Sequence, residues 1–454
     1  MARRAPSLLF HCVGVACVAL LAGCSSGGDD EGSGLALPKL SDLNPFAVGK
    51  TPLPGKRVAV LTSEDQTSSR MEEATGSIVI PPAREMAEWA TPGGTASNAP
   101  GHLALPGTLR TVWNVSAGTG SSSAAKLTAM PIVHMGRVFV LDAANLVSAF
   151  STSGGGRAWS ASVAPAGENA NKAFGGGIAA SGGRVFAVTG FGTVVALDAS
   201  TGARLWERKL GAPIHSAPTV ADGRLFATNT DGQVACLAVA DGSILWTFHG
   251  SPQQAAALLS STRPAIAGDA VIVPFTSGDL VALKLDSGAP LWTDNVNGGK
   301  SVSALASLSD PASPVANGGF VYAASRSGRM IASNVETGSR AWSANVGGID
   351  MPWVAGDALY MVDASSRLMA LKRTSGEVRW AMKLPGEAKV WSGPVLAGGR
   401  LWLTSSKGAL VGVDPSTGQV TAQRELGESV YVAPVVADGR MYVITDKANL
   451  MALQ

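Results

Sequence analysis

The residue types that most often carry catalysis are present in this chain, but they do not form a recognisable catalytic set. No Gly-x-Ser-x-Gly elbow occurs in residues 89–454. Aspartates recur at one position before a glycine turn, which indicates turn capping rather than one active site: Asp198, Asp241, Asp286 and Asp414. The histidines are isolated, without the paired spacing that binds a metal: His11, His102, His134, His215 and His249. We therefore predict no catalytic residues, no metal site and no cofactor.

A cysteine near the amino terminus is the residue for which the sequence best predicts chemistry. Two arginines precede an almost entirely apolar stretch, residues 8–21, in the order of a secretory signal. The Leu-Ala-Gly-Cys sequence that ends at Cys24 resembles a bacterial lipobox. That resemblance implies that residues 1–23 are removed and that Cys24 carries the acyl chains of a membrane anchor. The alternative is an ordinary signal peptide that happens to contain a cysteine.

The residues after Cys24 predict where the anchor is placed and how the chain leaves it. Ser25 rather than aspartate follows the cysteine, which by analogy with lipoprotein sorting favours the outer membrane, facing the periplasm. Residues 24–88 are rich in proline, serine, threonine and acids, and we predict a mostly extended tether. The ordered body is predicted over 89–454. Only Cys236 remains in it, and we expect this thiol to be a small buried apolar group.

The charge balance limits the kinds of partner. The whole chain has 35 basic and 33 acidic side chains, and the signal segment accounts for two of the arginines, so the rest is formally neutral. A neutral body has no electrostatic footprint for nucleic acid. We expect no nucleic-acid partner, no small-molecule substrate, and contact with a membrane only through the lipid.

A repeated unit of 38–50 residues occupies most of the body. Each unit reads as a turn, a strand, a second turn, a second strand, and a glycine turn before a strand that ends in tryptophan. Glycine supplies the positive φ of tight hairpin turns, and each tryptophan can wedge against the neighbouring sheet. The tryptophans that mark the period are Trp113, Trp159, Trp206, Trp246, Trp292, Trp342 and Trp380. The next expected position is Thr421, so one unit lacks its tryptophan.

Counting the units predicts the architecture. Eight turn-strand-turn cores occur, and the last ends at Gln454 without a tryptophan strand of its own. The strand around Trp113 has no core before it, so we expect it to complete the last sheet. The fold class is therefore all-β, an eight-bladed β-propeller of four-stranded antiparallel blades, closed by a clasp between the two ends of the body.

The repeat is similar to two groups of proteins. The Asp-Ala-Ser-Thr-Gly-x-x-Leu-Trp form at Asp198–Trp206 resembles the tryptophan-docking repeat of quinoprotein dehydrogenases, and it also resembles the BamB family of outer-membrane assembly lipoproteins. The second resemblance extends over the lipobox, the tether and all eight repeats. It implies a non-catalytic scaffold that binds periplasmic domains of the barrel insertase BamA and assists insertion of β-barrel proteins.

The resemblance to the BamB family also implies two contact loops. In residues 251–260, Leu258 matches a leucine that the family uses for contact, while Leu259 stands where the family has an arginine. In residues 308–314, Asp310 matches the first of two family aspartates, and the second is absent. We therefore predict Leu258, Leu259 and Asp310 as partner-binding residues. Ordinary packing of these loops on the blades is the alternative.

The main functional alternative is a periplasmic dehydrogenase dependent on pyrroloquinoline quinone. Such enzymes bind the quinone and Ca²⁺ in the central funnel, and they commonly carry an adjacent Cys-Cys pair and long insertions with Ca²⁺ ligands. This chain has no Cys-Cys pair, and its repeats are short. These departures favour the scaffold over the enzyme. A propeller that binds carbohydrate or another envelope component remains a third reading.

Overall fold

The computed structural model describes residues 77–173, 175–250, 262–297, 312–326, 328–348 and 350–454. These residues form 32 β-strands in eight four-stranded antiparallel sheets, which confirms the predicted eight-bladed propeller. The first strands of neighbouring sheets contact one another and so lie nearest the axis of the ring. We call the strands of each blade A to D, from the inside to the outside.

The strands of the first four blades follow one another along the chain. Blade 1 contains β2 (Ile132–His134), β3 (Arg137–Leu141), β4 (Leu146–Ser151) and β5 (Arg157–Ser162). Blade 2 contains β6 (Gly176–Ser181), β7 (Arg184–Thr189), β8 (Thr193–Asp198) and β9 (Arg204–Lys209). Blade 3 contains β10 (Thr219–Ala221), β11 (Arg224–Thr228), β12 (Gln233–Ala238) and β13 (Ile244–His249). Blade 4 contains β14 (Ala265–Ala267), β15 (Ala270–Pro274), β16 (Asp279–Lys284) and β17 (Pro290–Asn295).

The remaining blades repeat this order until the last. Blade 5 contains β18 (Val315–Asn317), β19 (Phe320–Ser325), β20 (Arg329–Asn334) and β21 (Arg340–Ala344). Blade 6 contains β22 (Trp353–Ala355), β23 (Ala358–Val362), β24 (Arg367–Lys372) and β25 (Val378–Lys383). Blade 7 contains β26 (Trp391–Ala397), β27 (Arg400–Ser405), β28 (Ala409–Val413) and β29 (Val420–Glu425). Blade 8 contains β30 (Val435–Ala437), β31 (Arg440–Ile444), β32 (Asn449–Leu453) and, as its outer strand, β1 (Thr111–Ser116).

The predicted clasp is confirmed by blade 8. Its outer strand β1 pairs antiparallel with β32, with Trp113 opposite Ala452. The pairing continues beyond the strands, because Arg110 and Gln454 exchange two backbone hydrogen bonds of 2.7 and 2.9 Å. Blade 8 is thus the one sheet built from both ends of the body. Closing the ring this way covers edges that an open stack of sheets would expose.

The core lies between the blades, because strands B and C are buried on both faces. In β16, Leu280 to Leu283 are at most 6 % exposed. Sheets covered on both faces favour such continuous apolar runs over alternating ones. Among the segments that the structure describes, no helix is long and apolar enough to cross a membrane.

Seven of the eight blades are locked to the next one by a tryptophan. The indole Nε1 of each outer-strand tryptophan donates a hydrogen bond of 2.7–3.1 Å to a backbone carbonyl in the C–D turn of the following blade: Trp113 to Thr152, Trp159 to Ala199, Trp206 to Val239, Trp246 to Leu285, Trp292 to Val335, Trp342 to Arg373 and Trp380 to Pro415. The ring also packs on the turn's glycine. A Cβ on Gly288 would lie 2.5 Å from the Trp246 ring, so this turn requires glycine for space as well as for its φ of +70°.

The blade without a docking tryptophan is blade 7, but the expected position was wrong by one residue. The strand register places Ala422, not Thr421, opposite Gly412, where other blades have tryptophan opposite a small residue. Trp402 on strand B fills the space beside Gly412 instead, because a Cβ added at Gly412 would lie only 3.0 Å from the Trp402 ring. Blade 8 has no C–D turn, because its outer strand β1 comes from the other end of the body. A tryptophan at 422 would therefore have no turn to dock on.

Candidate partner-binding site

The four residues predicted to bind lipid or partner lie outside the described residues. These are Cys24, Leu258, Leu259 and Asp310. The structure does describe the strands on either side of the two predicted loops. Residues 251–261 fall between β13 and β14, and residues 298–311 fall between β17 and β18. Both are connections from the outer strand of one blade to the inner strand of the next.

The antiparallel order of the strands fixes the end of the ring from which these connections start. We call one end the turn face, which carries A–B turns such as Asp222-Gly223 and C–D turns such as Asp241-Gly242. The other end, the connection face, carries B–C turns such as Asp231-Gly232 and D–A connections such as residues 210–218. The strand ends that flank both predicted loops lie on the connection face, at neighbouring positions around the ring.

The inner ends of the two predicted loops are hydrogen-bonded to each other. The backbone N–H of Arg263 donates to Ser313 Oγ at 3.2 Å. The side-chain Nδ2 of Asn98 donates to the carbonyl of Pro314 at 2.8 Å and lies 3.5 Å from that of Pro264. Pro264 and Pro314, which precede the inner strands β14 and β18, are therefore both bonded to the buried amide of Asn98. This arrangement holds the bases of the two loops side by side.

Asn98 belongs to a segment that the repeat pattern does not contain. Residues 84–104, which we call the channel segment, run along the inner strands and bond to seven of the eight blades. The partners are backbone atoms of Val133, Ala180, Ile266, Ala316, Leu396 and Asp438 and the indole of Trp353. Its bonds to Asp438 and Gly398 are made at A–B turns, so this part of the segment lies at the turn face. We predicted only that the ordered body begins at residue 89, and no role for this segment, because its bonds are to residues distant in sequence.

A buried cation stands at the tip of the channel segment. The Arg263 guanidinium donates through Nε to Asn98 Oδ1 at 3.0 Å and lies 3.0 Å from Met351 Sδ. Burial lowers the pKa of Arg263 to about 10, so the side chain stays charged at neutral pH. These two contacts of the guanidinium are with neutral groups. A buried charge held by neutral acceptors is sensitive to loss of any one of them.

Asp350, which lies just before β22, is a second ionisable side chain whose charged form is disfavoured by burial. Burial raises the pKa of Asp350 from 3.8 to about 7, and one hydrogen bond from the Gly393 N–H opposes this rise. Its Oδ2 atom is buried with no hydrogen-bond partner among the described residues. A carboxyl group in such a place favours its neutral form. Sequence reasoning missed both Arg263 and Asp350, because neither repeats from blade to blade.

The described histidines have separate structural roles. His102 bonds the Pro81 carbonyl through Nδ1 at 2.8 Å and accepts the Gly399 N–H at Nε2. His134 pairs with Glu88 at 2.8 Å. Within the described part of the chain, no three His, Cys, Asp or Glu side chains are grouped so that they could hold a metal ion. Cys236 is fully buried, which confirms its packing role, and burial raises its pKa to about 12.

The fold and the docked tryptophans define the class of this protein as an eight-bladed propeller of quinoprotein-like repeats. The particular family follows from comparison with known sequences. A family model described as outer membrane protein assembly factor BamB matches residues 144–382 and 380–454, and the chain belongs to that family.

Curated relatives match most of the chain at moderate identity. The outer membrane protein assembly factor BamB of Yersinia pestis is 27% identical over 338 residues, which are 73% of this chain and 85% of that protein. The BamB protein of Escherichia coli strain K12 is 28% identical over 341 residues, 74% of this chain and 86% of that protein.

Solved structures share the fold at lower identity. BamB from Moraxella catarrhalis has a TM-score of 0.65 at 19% identity, covering 76% of this chain and all of that chain. A europium-containing methanol dehydrogenase has a TM-score of 0.64 at 15% identity, covering 84% of this chain and 91% of that chain. Identities this low establish the shared propeller and do not separate scaffold from enzyme.

Proposed function

We propose that this protein is a non-catalytic scaffold of the outer-membrane β-barrel assembly machinery, binding periplasmic domains of the barrel insertase BamA. Membership of the BamB family carries the proposal. The fixed bases of the two predicted loops support it, because a partner site built on rigid elements loses less entropy on binding. Leu258, Leu259 and Asp310 are the proposed contact residues.

The proposed placement of the protein follows from its amino terminus. Residues 1–23 are a removed signal, Cys24 is lipidated, residues 24–88 form a tether that runs into the channel segment, and 89–454 form the propeller body. The anchor holds the protein on the periplasmic side of the outer membrane. The channel segment covers the turn face, so the connection face is the end left for the insertase.

Affinity capture from membranes tests the function and the site separately. The tagged full chain, solubilised in mild detergent, is expected to co-purify the insertase. Leu258→Arg and Asp310→Lys are each expected to lower the recovered insertase at least tenfold, the effect of losing about 1.4 kcal/mol of binding. Failure of the unaltered chain to capture the insertase would contradict the function.

Two exposed residues away from the predicted loops provide matched controls. Leu245 is 49% exposed on β13, and Asp269 is exposed in an A–B turn of the turn face. Leu245→Arg and Asp269→Lys make the same chemical changes and are expected to leave capture unaltered. If the loop variants behave like these controls, the assignment of Leu258 and Asp310 is wrong, while the assembly function stands.

A titration with pyrroloquinoline quinone and Ca²⁺ tests the dehydrogenase alternative. A scaffold is expected to show no saturable binding and no reduction of an electron-accepting dye. Saturable binding together with dye reduction would replace the scaffold proposal by a quinoprotein oxidoreductase.

A further inference from the structure

The inner strand of every blade has one edge that no strand of its own sheet covers. Such an edge binds an extended chain through backbone hydrogen bonds. The channel segment uses these edges at several blades. Trp89 and Val133 exchange two backbone bonds of 2.8 and 2.9 Å, and the N–H groups of Ile266 and Ala316 donate to the segment at 2.8 and 2.9 Å. The segment is thus bound as a peptide would be bound by strand edges.

A tryptophan pocket gives this binding its first side-chain anchor. Trp89 is 1% exposed and stacks on Trp353 with ring centroids 6.4 Å apart. Its indole Nε1 donates to the Pro92 carbonyl at 3.2 Å, and the Trp353 indole donates to the Gly101 carbonyl at 3.0 Å. The Trp353 indole donor is therefore satisfied by the segment, whereas the Trp89 donor is satisfied within it. Removing it would expose two large aromatic faces.

Asn98 is the second anchor, and its amide is matched to its pocket on both sides. The Nδ2 group donates to the Pro314 carbonyl, and Oδ1 accepts from the guanidinium of Arg263. A leucine of similar size could do neither. Buried polar groups that lose their partners cost free energy. The pocket therefore favours an amide over an apolar side chain that would leave these groups unpaired.

We propose that the turn-face mouth of the channel is a peptide-recognition surface, with residues 84–104 as its resident ligand bound in cis. It recognises a segment that carries a tryptophan and, nine positions later and after two turns, an asparagine. The inference does not rest on the assembly function, although Asn98 also bonds the carbonyls at the bases of the two predicted loops. The segment joins the ring through an exposed bend at residues 106–108, whose one side-chain bond to the ring runs from Arg400 to the Gly107 carbonyl.

Fragment exchange in the full chain tests the proposal. A protease recognition sequence is inserted between Pro106 and Gly107, the chain is cut after folding, and a labelled synthetic peptide of residues 77–106 is added. We expect the cut fragment to co-elute with the ring, and the labelled peptide to replace it saturably in the cut chain, as read by fluorescence anisotropy. The uncut chain is expected to bind no peptide, because its site is filled in cis.

Variant peptides identify the anchors. Trp89→Ala and Asn98→Ala peptides are expected to bind at least tenfold more weakly than the natural sequence. Glu85→Ala, at an exposed position of the same segment, is the matched control and is expected to bind equally. Release of the natural fragment on cutting, equal binding of all peptides, or equal binding to the uncut chain would each overturn the proposal. So would the absence of exchange within a day at 37 °C, since the segment would then be a fixed part of the core.

Discussion

Two separate substitutions, Trp246→Ala and Ala422→Trp, test how the docking tryptophans hold the ring together. Trp246 is 8% exposed, its ring centroid lies 5.8 Å from that of Phe226, and its indole bonds the Leu285 carbonyl at 3.1 Å. Trp246→Ala removes roughly 200 Å² of buried aromatic surface, worth about 5 kcal/mol at about 25 cal/mol per Å². Partial collapse of the site lowers the expected loss of unfolding free energy to about 3–5 kcal/mol.

The reverse change in blade 7 should bring no gain. Ala422 occupies the register position of the docking tryptophans, but Trp402 already fills the space beside Gly412, and blade 8 has no C–D turn to accept an indole hydrogen bond. Ala422→Trp would place a large ring on the outer surface of the seam. We expect its unfolding free energy to stay unchanged or to fall by about 1 kcal/mol from overpacking.

Chemical denaturation with both variants and the unaltered chain provides the measurement. Urea titration followed by tryptophan fluorescence and by circular dichroism gives the two free-energy differences, and agreement of the probes checks that the ring unfolds in one step. A loss below about 1 kcal/mol for Trp246→Ala would refute the docking argument. A clear stabilisation by Ala422→Trp would refute the explanation of why blade 7 lacks its tryptophan.

Two further predictions concern the channel and the bend beside it. The folded-state pKa of Asp350, about 7, lies above its ordinary value of 3.8, so the folded protein binds this proton more tightly than the unfolded chain. The contribution of the protonated carboxyl to stability is therefore lost as pH rises from about 4 to 7. Asp350→Asn should therefore match the unaltered chain near pH 4 and exceed it near pH 8 by up to about 4 kcal/mol; parallel melting curves across pH would contradict this. Gly398→Ala should cost more than Gly399→Ala, because both positions have positive φ but only a Cβ at 398 would meet a backbone atom, the Leu105 carbonyl oxygen at 2.6 Å. We expect about 1 kcal/mol for Gly399→Ala and about 2–4 kcal/mol for Gly398→Ala in urea titrations, and equal losses would show that the close approach does not matter.

The blades could be predicted from sequence because each one repeats the same physical requirement. The tryptophan, the glycine four residues before it and the apolar strands B and C recur together, since the outer strands of all blades but blade 7 dock on the next C–D turn. The clasp followed from counting, as a core without a tryptophan strand and a tryptophan strand without a core had to meet. The one-residue error at Thr421 arose because spacing between tryptophans varies, whereas the distance from Gly418 does not.

The channel segment escaped prediction for the opposite reason. Its contacts occur once each, between residues as distant in sequence as Asn98 and Pro314, and no periodic signal marks them. The same holds for Arg263, whose partner Asn98 lies 165 residues away. Repetition made the ring predictable but also leaves eight equivalent inner edges facing one channel. A single segment with two anchors that do not repeat, one tryptophan and one asparagine, can cover that symmetric surface in only one register. The repeat pattern therefore cannot predict the contacts that fix this register.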